Sequence, residues 1–224
     1  MRSYLRAVGA VIWKDFRVEW RTRENLSAML VFALLVILIF NFALELDLQA
    51  RESLSAGILW ATFVFAGTIG LNRSLAVEKD RGCLDGLLLA PVDRSVIYFG
   101  KAVGNLLFML VVEAIVLPIF SFLYAFNVFQ PGFLLVVLLG SIGYAAVGTL
   151  LSTMVVQART RDILLPILLF PLTLPVVIAA VKASQGFFQG LPFEEFSVWL
   201  NILVAYDLIF VAVAMMVFDY VLED

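Results

Sequence analysis

Six apolar runs of about twenty residues each divide this chain, and they constrain the fold more than any other feature. Such a run is long enough to cross a hydrocarbon core of about 30 Å as an α-helix. Apolar residues make up 63% of the chain and charged residues 15%, whereas soluble domains carry about a quarter charged residues. The sequence therefore predicts an all-α integral membrane protein, folded as a single domain over residues 1–224. The runs lie at about 26–44, 54–72, 102–126, 132–156, 163–182 and 197–219.

The basic residues next to the spans predict the orientation. The segments 1–24, 73–101 and 157–162 hold six, five and two basic residues, which is 13 of the 15 in the chain. Only Arg51 and Lys182 lie on the other side. Because basic loops stay in the cytoplasm, we expect both termini and the segment 73–101 to be cytoplasmic.

Residues 3–24 are expected to form an amphipathic helix in the membrane interface. Lys14, Arg17 and Arg21 fall roughly opposite its apolar side on a helical wheel. Glu19 lands among the apolar residues, so part of that side is expected to contact protein instead of lipid. The apolar side comprises Leu5, Val8, Ile12, Trp13, Phe16 and Trp20.

The segment 73–101 is the longest charged stretch between two apolar runs. Leu84, Leu87 and Leu88 follow the i, i+3, i+4 spacing of a short amphipathic helix. Pro91 should end that helix, because proline removes a backbone donor. Two interpretations remain open from spacing alone: a docking surface on the cytoplasmic side, or a solvated connector between two spans.

Several kinds of chemistry are excluded by missing residues. The chain has no histidine and a single cysteine, Cys83, so neither an internal disulfide nor a Cys/His metal site can form. It also lacks a GxxxxGK[ST] phosphate loop, so ATP hydrolysis is not expected in this chain. We expect no catalytic residues, no directly bound metal or cofactor, and no nucleic-acid partner.

Two carboxylates, Glu113 and Asp207, lie inside apolar runs. At about 1.5 Å per residue both fall near the middle of the membrane, where charged groups are costly and often functional. The alternative is a packing role, in which a neutral carboxyl bonds to a neighbouring helix, for example at Asn105 or Asn201.

Other patterns concern helix packing. Gly140, Gly148 and Ser152 share one face of the fourth run, and small residues let helices approach closely; packing within the chain is favoured over a dimer seam. Three prolines in the fifth run predict a broken or kinked helix. The aromatic segment 186–199 is interpreted as a re-entrant or interfacial element.

The segment EKDRGCLDGLLLAP resembles the cytoplasmic loop of ABC-2-type export permeases, which follow a pattern like E-x-E-x-G-[TS]-L-[ED]-x-L-L-x-[AT]-P. Cys83 departs from that pattern, where a hydroxyl residue is usual. Within this superfamily the whole chain resembles the CcmB family of cytochrome c maturation permeases, from its WKDFRVEWRTRE opening to AYDLIF and the terminal LED. The matching positions are Glu78, Gly82, Leu84, Asp85, Leu87, Leu88, Ala90 and Pro91.

This resemblance implies a permease in the bacterial inner membrane, with ATP hydrolysed by a separate CcmA-type subunit. It implies two permease copies, CcmC and CcmD as companions, and a CcmE-type chaperone that carries haem, with haem as a ligand handled by the complex. The alternatives are a general exporter of lipid, polysaccharide or drug, and a mechanical subunit that moves no substrate. The resemblance assigns contact with the ATPase to a coupling helix and its flanks, at Glu78, Asp80, Arg81, Gly82, Leu84, Asp85 and Leu87.

Overall fold

Seven α-helices make up the described part of this computed structural model, which covers residues 2–44, 48–80, 82–83, 86 and 94–221. The predicted all-α class is confirmed, and six of the helices are long and apolar enough to cross a membrane. The helices are α1 (Arg2–Thr22), α2 (Glu24–Ala43), α3 (Leu48–Asp80), α4 (Arg94–Tyr124), α5 (Pro131–Val155), α6 (Arg161–Phe188) and α7 (Phe193–Val221).

Two of the helices extend well beyond their apolar runs. Helix α3 continues to Asp80 and α4 begins at Arg94, so residues 73–80 and 94–101 are helical where the sequence suggested a loop. We call these two helical extensions the stems. Residues 84–85 and 87–93 lie outside the described residues, and with them most of the predicted coupling helix.

Helices α3 and α5 form the middle of the bundle and approach each other at glycines. A Cβ atom added at Gly140 would collide with the ring of Trp60, and one at Gly148 would collide with Leu71. The Ser152 hydroxyl donates to the Leu71 carbonyl at 3.2 Å. The small-residue face of α5 thus packs inside the chain, as predicted.

Buried polar side chains join neighbouring helices through hydrogen bonds. The Tyr144 hydroxyl of α5 donates to the Val64 carbonyl of α3 at 2.8 Å. The Trp60 indole N–H donates to Ser184 of α6 at 2.9 Å. Such bonds matter in lipid, because an unpaired polar group there has no water to bond. They fix which helices are neighbours more specifically than apolar packing does.

Of the two forms predicted for the proline-rich span, broken or kinked, the broken one is wrong. Helix α6 runs unbroken through Pro166, Pro171 and Pro175, and the Tyr206 hydroxyl of α7 donates to the Leu172 carbonyl in the turn before the last proline at 2.9 Å. Neighbouring polar groups of this kind let a helix continue through proline.

The aromatic segment ends α6, turns and begins α7, so the re-entrant form of its prediction is wrong and the interfacial form stays a prediction. Phe188 stacks with Phe126, at a centroid distance of 4.7 Å, and it also packs on Phe133. The segment therefore belongs to the bundle and is not a separate re-entrant element.

Replacing Gly140 by alanine should destabilise the bundle by about 1–3 kcal/mol, because the added methyl overpacks the contact with Trp60. Gly57→Ala is the matched control, since nothing lies within 4 Å of a Cβ at that position. It should be neutral or stabilising by up to about 1 kcal/mol through helix propensity. Thermal unfolding of both variants in detergent measures the difference. Equal stability of the two would contradict the packing assigned to α3 and α5.

Candidate functional site

Helix α1 lies along the first turns of α4, and the two helices run in the same direction. The hydroxyls of Tyr4 and Ser95 are 2.9 Å apart. Further along, the rings of Phe16 and Phe108 have centroids 4.9 Å apart. Between these contacts Val11 packs directly on Gly100. A Cβ atom added at Gly100 would lie only 2.7 Å from the Val11 side chain. Glycine at that position therefore lets α1 approach the α4 stem closely.

Four charged side chains lie close together where α1 packs against the two stems. Lys101 of the α4 stem is only 1% exposed. Its ammonium lies 2.9 Å from Asp15 Oδ2 and 2.7 Å from Glu78 Oε1. Lys14 also pairs with Glu78, and it lies 3.3 Å from Asp15. We call Lys14, Asp15, Glu78 and Lys101 the charge cluster. It links α1, the end of α3 and the start of α4.

The charge cluster balances two positive groups against two negative ones, which permits its burial. A buried charge is costly unless it is paired and hydrogen-bonded. Burial lowers the pKa of Lys14, but the carboxylates of Asp15 and Glu78 outweigh that effect and hold it above its usual value. Lys14 therefore stays charged at neutral pH and contributes to compensating the two carboxylates.

Glu19 has a structural role that explains its place on the apolar side of α1. It is 8% exposed, and its carboxylate accepts the backbone N–H of Leu26 at 2.8 Å. A carboxylate at a helix N-terminus satisfies an unpaired donor and favours the helix dipole. The chain turns between α1 and α2 at Arg23, whose φ of 53° is left-handed. The contact of Glu19 with protein is as predicted.

The predicted coupling residues fall into three groups. Glu78 belongs to the charge cluster. Asp80 is exposed and pairs with Arg161 of α6 at 2.7 Å, and Gly82 forms a turn with a φ of 67°. The remaining residues of that prediction, Arg81, Leu84, Asp85 and Leu87, lie outside the described residues. Contact with an ATPase stays a prediction for all seven.

The intramembrane carboxylates lie on opposite sides of α5, close to its midpoint at residue 143. Glu113 accepts a hydrogen bond from the Ser141 hydroxyl at 2.6 Å. Asp207 lies against Gly143, where a Cβ would collide with its carboxylate. Positions 141 and 143 are about 200° apart around a helix, so α5 separates the two groups.

The two carboxyls differ in how well they are satisfied. Glu113 has one bonded oxygen, whereas neither oxygen of Asp207 has a hydrogen-bond partner among the described residues. Asn105 bonds to Thr149 instead, and Asn201 is exposed, so neither predicted amide serves a carboxyl. The packing interpretation fits Glu113 better than Asp207.

Sequence reasoning missed Asp15 and Lys101, because a charged residue near the end of a span gives no sign of its partner on another helix. The sequence does contain one sign that another helix packs against Lys101, namely the two glycines, Gly100 and Gly104, on either side of it. The Asp15 carboxylate would lie 3.6 Å from a Cβ at Gly104. Glycines beside a lysine on one helix mark a face that another backbone can approach.

These observations define a class of protein: a multi-pass α-helical membrane protein with charged helical stems on one side. The family model described as "CcmB protein" matches residues 6–223. The chain belongs to the CcmB family.

Relatives in three bacteria are similar over most of their length, and each is called "Heme exporter protein B". The relative from Pseudomonas aeruginosa is 26% identical and covers 86% of this chain and 86% of itself. The Bradyrhizobium diazoefficiens relative is 25% identical, over 82% of this chain and 83% of itself. The Escherichia coli K12 relative is 25% identical, over 87% and 91% respectively.

Removing the buried lysine should damage the protein strongly. In Lys101→Met the carboxylates of Asp15 and Glu78 lose their buried cation, which we expect to cost about 3–5 kcal/mol. Thermal unfolding in detergent and the amount of protein in membranes measure the loss. Lys182→Met, at an exposed position, is the control and should change little.

A compensated variant tests whether charge is the cause. Combining Lys101→Met with Asp15→Asn leaves one carboxylate, Glu78, paired with Lys14, so the cluster is neutral again and most of the lost stability should return. A Lys101→Met protein as stable as the unmodified chain would show that the charge cluster does not hold α1 on the stems.

Proposed function

We propose that this chain is the membrane subunit of an ATP-driven ABC complex for cytochrome c maturation, linked to haem export or to release of a haem-loaded chaperone. Membership of the CcmB family and relatives called "Heme exporter protein B" support this assignment. The geometric observation that carries it is the charge cluster, which ties both stems of the predicted coupling segment to α1. A segment held in this way can pass force into the membrane.

The path of that force follows two continuous helices. Helices α3 and α4 run without interruption from their stems into the bundle. Lys101 and Glu113 are twelve residues apart on α4, which is about 18 Å along a helix. A push on the coupling segment would therefore move the stems together and tilt α4 beside Ser141 and α5.

The ATPase belongs to another subunit in this proposal. The sequence has no phosphate loop, so the nucleotide would bind to a CcmA-type partner that contacts residues 78–87. CcmC, CcmD and a CcmE-type chaperone are the other proposed companions. The complex would lie in the bacterial inner membrane, with both termini of this chain in the cytoplasm and haem handled without a histidine ligand from this chain.

A mechanical subunit that moves no substrate is the second candidate, and the tight packing beside Met29, Gly67 and Met109 supports it. The two cavities bordered by Met29, Gly67 and Met109 have no room for a water molecule. Ligand sites usually enclose about 300–1,000 Å³. In this version the chain transmits ATPase motion to the partner that holds haem.

Complementation tests the proposed function directly. A strain deleted for its own CcmB-family gene would receive this chain, and haem-stained cytochrome c would be measured with a blot for the subunit. Restored cytochrome c supports the proposal. Normal insertion without any restoration, when the cognate ATPase and companions are co-expressed, would refute it.

A change in the coupling helix should separate insertion from coupling. We predict that Leu84→Asp leaves the protein in the membrane but loses the co-purifying ATPase subunit, because a charge replaces an apolar contact in a groove of the partner. Leu54→Asn, at a half-exposed position in α3, is a control on the other side of the membrane. If the Leu84→Asp variant still co-purifies with as much ATPase subunit as the unmodified chain, the segment 73–101 only connects two spans.

Amide replacements should distinguish the two intramembrane carboxyls. We predict that Glu113→Gln is tolerated, since Ser141 can still donate to the amide oxygen. Asp207→Asn should lower cytochrome c maturation while membrane levels stay normal, because only the ability to ionise is removed. The complementation assay reads out both. Full maturation by Asp207→Asn would return that residue to a packing role.

A further inference from the structure

The outward face of α1 combines aromatic and basic side chains. Trp13 and Trp20 are 68% and 78% exposed, and Arg17 and Arg21 are exposed as well. Together with Phe16 these side chains border an open groove of about 530 Å³. The prediction that Arg17 and Arg21 lie opposite the apolar side is wrong, because they line the same groove as the tryptophans. Residues three and four apart, such as Trp13 and Arg17, are neighbours on a helix surface.

The positive charge of this groove is not compensated within the chain. Neither Arg17 nor Arg21 forms an ion pair or hydrogen bond with another described residue, while Arg73 and Arg161 are paired with carboxylates. The acids of α1 point the other way: Glu19 is buried against α2, and the remaining acid belongs to the charge cluster. An anionic ligand would therefore meet two available guanidinium groups and no carboxylate of α1.

The position of the groove identifies the kind of anion. Arg21 comes three residues before Glu24, where the first apolar helix begins, so the groove lies at the membrane surface. Tryptophan favours the interface between headgroups and acyl chains. Basic residues on an amphipathic helix beside a span are attracted to anionic lipids of the cytoplasmic leaflet.

We propose that this groove binds the phosphate headgroup of an anionic phospholipid from the cytoplasmic leaflet. Arg17 and Arg21 pair with the phosphate, for which the planar guanidinium is well suited. Trp13 and Trp20 flank the headgroup and reach toward the acyl chains. The lipid holds the outer face of α1 while the charge cluster holds its inner face. This assignment rests on the proposed cytoplasmic N-terminus, but not on the proposed role in cytochrome c maturation.

Fluorescence quenching by brominated lipids tests the site in the full chain. Trp60 is 2% exposed and should respond little, and Trp199→Phe removes the other tryptophan, so the signal reports Trp13 and Trp20. The protein would be placed in vesicles containing brominated phosphatidylglycerol or brominated phosphatidylcholine in otherwise unbrominated lipid. We expect phosphatidylglycerol to quench at the lower mole fraction, and added salt to weaken that preference.

Charge variants make the test specific. Arg17→Gln with Arg21→Gln should reduce the preference for phosphatidylglycerol by about fivefold for each arginine removed. Arg17→Lys with Arg21→Lys keeps the charge and should retain most of the preference. Arg159→Gln is the matched control, because Arg159 is exposed in a predicted cytoplasmic loop far along the chain from α1.

Three results would overturn the proposal. One is equal quenching of Trp13 and Trp20 fluorescence by both brominated lipids when Arg17 and Arg21 are unchanged. Another is an undiminished preference in the double glutamine variant that keeps the thermal stability of the parent. The third is loss of quenching by either lipid once the complete complex is assembled, which would show that a partner protein covers the groove.

Discussion

The buried ammonium of Lys101 is the interaction on which the stem end of this protein depends. A lysine at 1% exposure is stable only beside carboxylates, and here the two carboxylates come from different helices, Asp15 on α1 and Glu78 on α3. One cation thereby joins three helices. Since two of them carry the stems of the predicted coupling segment, the charge cluster sets the position from which any movement of that segment would begin.

The rest of the bundle depends on close backbone approach and on paired polar groups. Lipid gives little hydrophobic driving force between helices, so α3 and α5 associate where Gly140 and Gly148 admit Trp60 and Leu71. The hydrogen bond from Tyr144 to the Val64 carbonyl then fixes the register of these two helices. The carboxyls of α4 and α7, Glu113 and Asp207, both lie against α5 of this middle layer.

The two intramembrane carboxyls show how one sequence feature can have two physical meanings. Glu113 is bonded through Ser141, as expected of a group that contributes to packing. Asp207 is equally deep but has no partner among the described residues, and Gly143 leaves just enough room for it. An unpaired polar group costs free energy, and this cost is the reason for proposing a functional role for Asp207 and a packing role for Glu113.

The sequence by itself determined the all-helical membrane class and the six spans, because hydrocarbon thickness and backbone hydrogen bonding leave few alternatives. The orientation expected from the basic residues stays a prediction. It also indicated the inward side of Glu19 and the packing face of α5. The tertiary structure decided which charges pair, as with Lys101 and Asp15, 86 residues apart. It decided too that α6 continues through its prolines beside the Tyr206 hydroxyl of α7. Such outcomes depend on which helices are neighbours, and helical periodicity within one segment carries no information about that.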